Sequence, residues 1–190
     1  YMPERREEAR DFWRFLALGD KVIGLDTETT GLDIYGLAFG LRLVQFGNRT
    51  QAWVMRVDMF RDVIVEALRQ PRIFTIHNAE FDIRVIDRHL GVSIEELASR
   101  LVDTRILAHL LDPRQPHEGG AGVSPNPLSA IYVHDTAPHR QEGLNAVFRT
   151  IRNPVTGKLC TKADGWRYIP IDHEIYVRYA GLDVILGRPV

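Results

Sequence analysis

Between Pro3 and Leu18, Ala9, Phe12, Trp13, Phe15 and Leu16 fall at helical spacing among charged residues, which predicts an amphipathic helix docked on the rest of the chain. From Lys21 the pattern changes. KVIGLD is a short apolar run, and GLAFGLRLVQF and TQAWVMRV follow on either side of Gly47-Asn48, so the pattern predicts a strand and then a hairpin. Asp58 is placed to cap a helix reaching Arg69. RIFTIH then reads as a buried strand leading into a helix from Ala79 to Gly91. Leu101–Asp103 forms a further short strand, and Asp103 or Thr104 opens a helix carrying Ile106, Leu107, Leu110 and Leu111 until Pro113 stops it. The Pro- and Gly-dense stretch PRQPHEGGAGVSPNP, residues 113–127, is a surface loop whose place before the last third of the chain makes it a candidate gate. Short helices at 128–132 and 142–152, polar turns around NPVTGK and KADGW, and a helix from about Asp172 to Leu186 complete the pattern.

With 190 residues and 45% apolar content, the chain can bury the core of one domain, and no internal repeat divides it. Lys and Arg number 24 against 25 Asp and Glu, a formal charge of −1, so no bulk basicity advertises a nucleic-acid partner. Local patches or bound cations must supply any positive charge such a partner needs. The single cysteine, Cys160, excludes an intramolecular disulfide and any cysteine-based zinc cluster, which suits a reducing compartment and makes the cytoplasm the default location. No apolar run approaches the roughly 20 residues that cross a bilayer, and PERREEARDFW lacks the apolar stretch of a signal peptide.

Three segments carry chemistry. In LDTETTGLD, Asp26 and Glu28 are two apart at the end of an apolar strand and share a face. Close like charges are costly unless a proton or a cation intervenes, and carboxylate oxygens favour Mg²⁺ or Mn²⁺. In HNAEFD, Asn78 stands at a helix cap and Asp82 on the first turns; in YAGLD, Tyr179 and Asp183 are four apart, about 40° around one helix face. Each segment has a plain structural reading by itself: a solvated strand end, a helix cap with a favourable first-turn charge, a buried Tyr beside an exposed Asp.

As an ordered set, an acidic pair on a first strand, Asn-x-x-x-Asp at a strand-to-helix junction and Tyr-x-x-x-Asp near the end resemble the three motifs of the DEDD exonuclease superfamily. The tyrosine makes the set similar to the DEDDy branch, which includes family A DNA polymerase proofreading domains and ribonuclease D. The DnaQ-like branch would need a histidine where this sequence has Arg178. The resemblance implies an α/β fold of the ribonuclease H-like kind, a mixed β-sheet flanked by helices, and 3′-to-5′ hydrolysis of single-stranded or frayed DNA that releases nucleoside monophosphates. It places metal ligands at Asp26, Glu28, Asp82 and Asp183, for two divalent ions, Mg²⁺ or Mn²⁺, about 4 Å apart. It gives Tyr179 the task of orienting water, since a phenol of ordinary pKa about 10 is mostly protonated and poorly suited to take a proton. It makes Leu32 and Phe81 contacts to terminal bases, Asn78 a contact to the terminal sugar or phosphate, and Thr27 a further substrate position.

HNAEFD, DTRILAHLLDP and GWRYIPIDHEIYVRYAGLDV together look most like the exonuclease portion of a phage-type family A polymerase. That implies a linked or associated polymerase domain, a single exonuclease domain over 1–190 cut from a longer chain, and a bacterial or phage-infected cell. A ribonuclease D-like RNA exonuclease and a nonhydrolytic nucleic-acid-binding module stay open as alternatives. Asp103 reads as a helix cap rather than a fifth metal ligand. The irregular spacing of His117, His134 and His139 argues against a zinc site. Arg114, Arg140, Arg149, Arg152, Lys158, Lys162 and Arg167 offer either a strand-binding patch or scattered solvated charge.

Overall fold

Val22–Thr29 forms strand β1, which lies at the centre of a five-stranded sheet and is buried along most of its length. The computed structural model describes residues 1–124, 127–128 and 140–186. The remaining strands are β2 (Leu41–Gly47), β3 (Ala52–Arg56), β4 (Ile73–Ile76) and β5 (Leu101–Asp103), in the order β3-β2-β1-β4-β5. The hairpin pairs are antiparallel, and β4 runs parallel to both β1 and β5. The hairpin turn is closed by Asn48, whose side-chain oxygen accepts from the amides of Thr50 (2.9 Å) and Gln51 (2.8 Å).

Helices cover both faces. Those α-helices are α1 (Ala9–Leu18), α2 (Val57–Arg69), α3 (Ala79–Leu90), α4 (Ile94–Ala98), α5 (Thr104–Leu111), α6 (Arg140–Phe148), the one-turn α7 (Gly165–Tyr168) and α8 (Glu174–Leu186). Phe12, Phe46, Met55, Phe60, Ile64 and Phe74 belong to the larger core on one face, while Leu43, Val54, Leu144, Phe148 and Tyr176 form a second core on the other. Alternation along β2 and β3 divides their residues between the two cores, as the period of a strand requires.

α8 crosses β1 and β2 at close range. Gly24 and Gly47 are paired across the two strands. A Cβ on Gly24 would stand 2.3 Å from the Val184 carbonyl oxygen, and one on Gly47 2.6 Å from Val184 Cγ2. The two glycines therefore make the flat floor that lets α8 approach.

Several expectations are corrected. Residues 6–8 form a 3-10 turn ahead of α1, and β2 begins at Leu41, because residues 30–40 form a looped excursion closed by Thr30, whose amide donates to the Gly40 carbonyl. Asp58 lies inside the first turn of α2 and pairs with Arg56 (2.7 Å), so it is not the cap. α4 was not anticipated, although the capping-box pattern Ser93-x-x-Glu96 stands in the sequence and both of its hydrogen bonds form. Ile106, Leu110 and Leu111 are exposed, so α5 does not bury the apolar stripe expected of it. α6 ends at Phe148, short of 152, because Ile151 to Cys160 turns back in a small hairpin with Arg152 opposite Leu159. α8 starts at Glu174, two residues beyond Asp172. Within the expected loop, Pro116–Glu118 forms a 3-10 turn; residues 125–126, and 129–132 of the short helix expected at 128–132, lie outside the described residues.

Candidate active site

β1 ends in the acidic pair. Asp26 is opposite Gln45 and Glu28 opposite Leu43, and the register shifts between Glu28 and Thr29, so the strand bends just where its carboxylates are presented. Because α8 rests on Gly24 and Gly47, Asp183 comes down onto this pair. One carboxylate oxygen from each of Asp26, Glu28 and Asp183 lies within 4.8 Å of the others.

The fourth predicted acid is placed differently. Asp82, buried on α3, accepts a hydrogen bond from the Thr27 hydroxyl at 2.5 Å and is not one of the three acids that converge. Of the neighbouring acids it raises the pKa of Asp26 the most, and it raises that of Glu28 as well. For Asp26 and Glu28, burial is the first cause of carboxyl pKa values well above the ordinary range, and the neighbouring acids add to it. Burial also pushes Asp82 up to about 7, against the opposing hydrogen bonds from Thr27. Arg42 on β2 partly offsets the effect at Glu28.

Tyr179 belongs to the same constellation. Burial drives its phenol far above the ordinary range, and Asp183, to which it hydrogen-bonds, pushes the same way. The hydroxyl is therefore a proton carrier at neutral pH, one turn before Asp183 on α8.

Asn78 occupies the cap position of α3 in a left-handed conformation (φ 65°), and among the described residues it alone has a positive φ without being glycine. Its side chain does not cap. That work falls to Asp103, whose carboxylate accepts from the amides of Asn78 (3.1 Å), Ala79 (2.9 Å) and Arg105 (2.8 Å) and so fixes the starts of both α3 and α5. The Asn78 side-chain oxygen instead accepts from Arg105 at 2.5 Å. Next to it, His77 bonds the Thr104 hydroxyl (3.0 Å) and the Val123 carbonyl (3.0 Å), tying the long loop to this junction.

One cavity adjoins α8 and another adjoins β1. The larger, ≈ 1020 Å³, lies between the first residues, β3 and the outer side of α8 and contains none of the site carboxylates. The smaller, ≈ 700 Å³, is lined by Thr27, Glu28, Leu32 and Phe81 and so reaches one acid of the trio. Leu32 is 84% exposed and Phe81 half-buried, so neither is a core residue. Of the basic residues, Lys162 also lines this cavity.

The acidic trio fits hard cations. Three carboxylates converge, mutual repulsion and burial raise the pKa of two of them, and both amide atoms of buried Gln45, opposite Asp26, lack a hydrogen-bond partner. Among the described residues no second cluster of this kind occurs.

A mixed sheet with this strand order, helices on both faces and an acidic centre on its middle strand defines a ribonuclease H-like nuclease fold. The chain belongs to the 3′-5′ exonuclease family of the family A DNA polymerase type, whose family model matches residues 2–190. It is similar to the DNA polymerase of Mycobacterium phage D29, 36% identical over 186 residues, covering 96% of this chain and 30% of the polymerase. To the DNA polymerase of Mycobacterium phage L5 it is 37% identical over 191 residues, covering 98% and 31%. The chain thus spans about a third of the length of these relatives. Among solved structures, Trypanosoma brucei RNase D bound to GMP superposes with a TM-score of 0.69 at 13% identity, covering 98% of this chain and 54% of that one. Escherichia coli RNase D superposes with 0.56 at 19%, covering 98% and 41%. At these identities the likeness concerns the fold.

Proposed function

We propose that this chain is the proofreading part of a phage-type DNA polymerase, hydrolysing the 3′-terminal phosphodiester of single-stranded or frayed DNA and releasing nucleoside monophosphates. The observation that carries the reading is the convergence of Asp26, Glu28 and Asp183 within 4.8 Å on the strand and helix that also present Tyr179. The DNA polymerases that share more than a third of its residues support DNA as the substrate and a linked polymerase domain as the partner. Their mycobacteriophage origin supports the cytoplasm of an infected bacterium as the location, and no helix among the described residues is long and apolar enough to cross a membrane.

Asp26, Glu28, Asp82 and Asp183 would hold two divalent cations, Mg²⁺ or Mn²⁺. When bound, such cations offset phosphate charge and make water a better nucleophile. The protein's own groups do the rest. Tyr179, held neutral, orients the attacking water through its hydroxyl, which Asp183 fixes in turn. Leu32 and Phe81 offer apolar surface to the terminal base, a contact that tolerates every base and so suits an editor. Asn78, held by Arg105 at the start of α3, contacts the terminal sugar or phosphate in this reading, and Thr27 steadies Asp82.

The test is release of mononucleotides from a 5′-labelled DNA strand with Mg²⁺ or Mn²⁺, beside an RNA strand and an Asp26→Ala control. A metal-dependent ladder shortening from the 3′ end of DNA and absent in the control is expected. Faster cleavage of RNA would replace the proofreader with a ribonuclease, and no cleavage of either would leave a binding module.

A further inference from the structure

The segment between Asn153 and Ile169 reads as polar turns in sequence, yet the structure anchors it at several points. Asp164 accepts from the Thr161 amide (2.6 Å) and hydroxyl (2.7 Å) and from the Asn153 side-chain amide (2.8 Å), and these bonds hold its carboxyl down to about 2. Gly165 packs so tightly that a Cβ would meet the Phe148 ring at 2.2 Å. Arg42 reaches across from β2 to the carbonyls of Trp166 (2.5 Å) and Ile169 (2.6 Å). So many restraints on a turn fix one side chain above all. Trp166 packs edge-on against Phe148 (5.0 Å between ring centroids), tilts against the catalytic-site Tyr179 (5.8 Å), and lines the cavity that holds Glu28, Leu32 and Phe81.

We propose that Trp166 is a substrate-binding residue, supplying the wall of the terminal-nucleotide pocket that Leu32 and Phe81 do not, with Lys162 on the same turn providing charge for the strand's phosphates. This rests on the exonuclease reading and deepens it. A ring held at the pocket by its own backbone offers stacking surface with little ordering cost, since its restraints are in place before any strand arrives. Lys162 is exposed on the same turn and lines the same pocket, so a strand whose end enters the pocket passes it. In a chain with no net positive charge, such a local cation has more to do than in a basic one.

The experiment compares wild type, Trp166→Leu and Trp166→Phe on two 5′-labelled DNA strands, one ending in an ordinary thymidine nucleotide and one in an abasic nucleotide. Stacking on one base corresponds to roughly 5- to 150-fold in affinity, so Trp166→Leu should lose that much kcat/KM on the ordinary end and little on the abasic end, with Trp166→Phe close to wild type. Equal losses on both ends would overturn the proposal, because they describe a ring that merely supports Tyr179 or the fold. A second measurement does not need hydrolysis: in EDTA, oligothymidylate should quench tryptophan fluorescence of wild type and not of Trp166→Phe. Identical quenching in both would again overturn it. Lys162→Ala should lower the slope of log affinity against log salt by about 0.7, the share of one phosphate contact on a single strand; an unchanged slope removes Lys162 from the site. If wild type cleaves neither strand, the exonuclease reading fails, and the quenching still decides the role of Trp166.

Discussion

At the residue scale, Tyr179 separates geometry from proton transfer. The pKa of its phenol lies far above the ordinary range, chiefly through burial and then through Asp183, so the hydroxyl keeps its proton at neutral pH. Replacing it with phenylalanine keeps the ring against Trp166 and removes only the oxygen. Tyr179→Phe is expected to lower kcat roughly 10²-fold, the usual cost of a misplaced reactant, with KM and melting temperature nearly unchanged. Single-turnover kinetics would check this, and a larger rise in KM than fall in kcat would make Tyr179 a binding residue instead. The residues of the acidic set were legible because each motif is local: two positions along a strand bring Asp26 and Glu28 to one face, and four along a helix bring Tyr179 and Asp183 together. Asp103 was legible as the cap of its own helix but not as the cap of α3, which starts 24 residues earlier in sequence at Ala79. Arg42 and Trp166 were missed for the same reason, since Arg42 meets the carbonyls of Trp166 and Ile169 across 124 and 127 residues and no local spacing signals such contacts.

Among elements, the placement of α8 on β1 and β2 decides whether Asp183 meets the acidic pair. Glycine at 24 and at 47 is required by approach, not by backbone torsion, and no pattern of apolar residues announces such a contact. Gly24→Ala brings a methyl group against the Val184 carbonyl, a main-chain atom that cannot rotate away. Overpacking of this kind costs about 1–3 kcal/mol and must shift the helix that carries Tyr179 and Asp183. The variant is therefore expected to melt lower and, well below its melting temperature, to cleave roughly 10²-fold more slowly, whereas Gly143→Ala on α6 meets nothing within 4 Å and should cleave as wild type and melt no lower. Full activity of Gly24→Ala would show that the site does not depend on this crossing. The order of strands and helices was readable from the periodicity, which is why the sheet and most helices fall near their expected ranges. Tertiary context set what periodicity could not: the bare apolar face of α5, and the end of α6 where the chain turns into the hairpin.

For the whole molecule, the acidic centre is expected to make stability depend on pH and on divalent metal together. Asp82 has a folded pKa of about 7, raised first by burial, against about 4 when unfolded. Between those values the folded chain keeps a proton that the unfolded chain has lost, so this group's effect is to lower stability as pH rises from about 4 to about 7, and Asp26 and Glu28 act in the same direction. Asp112 and Asp164 run the opposite way, but their folded pKa values of about 2 confine their contribution to the range below about 4, where stability is lost as pH falls. The two windows do not overlap. In EDTA, the melting temperature of wild type should therefore fall relative to that of Asp82→Asn as pH is raised from 5 to 8. Divalent cations need the carboxylates ionised, so their stabilisation should be small at pH 5 and grow toward pH 8. At a hundredfold excess over the dissociation constant it amounts to about 2.7 kcal/mol, roughly 5–10 °C in a chain of this length. Thermal melts with EDTA, Mg²⁺ and Mn²⁺ across that range would decide it, and a metal-induced shift of equal size at pH 5 and pH 8 would mean that the cations bind somewhere other than this acidic cluster.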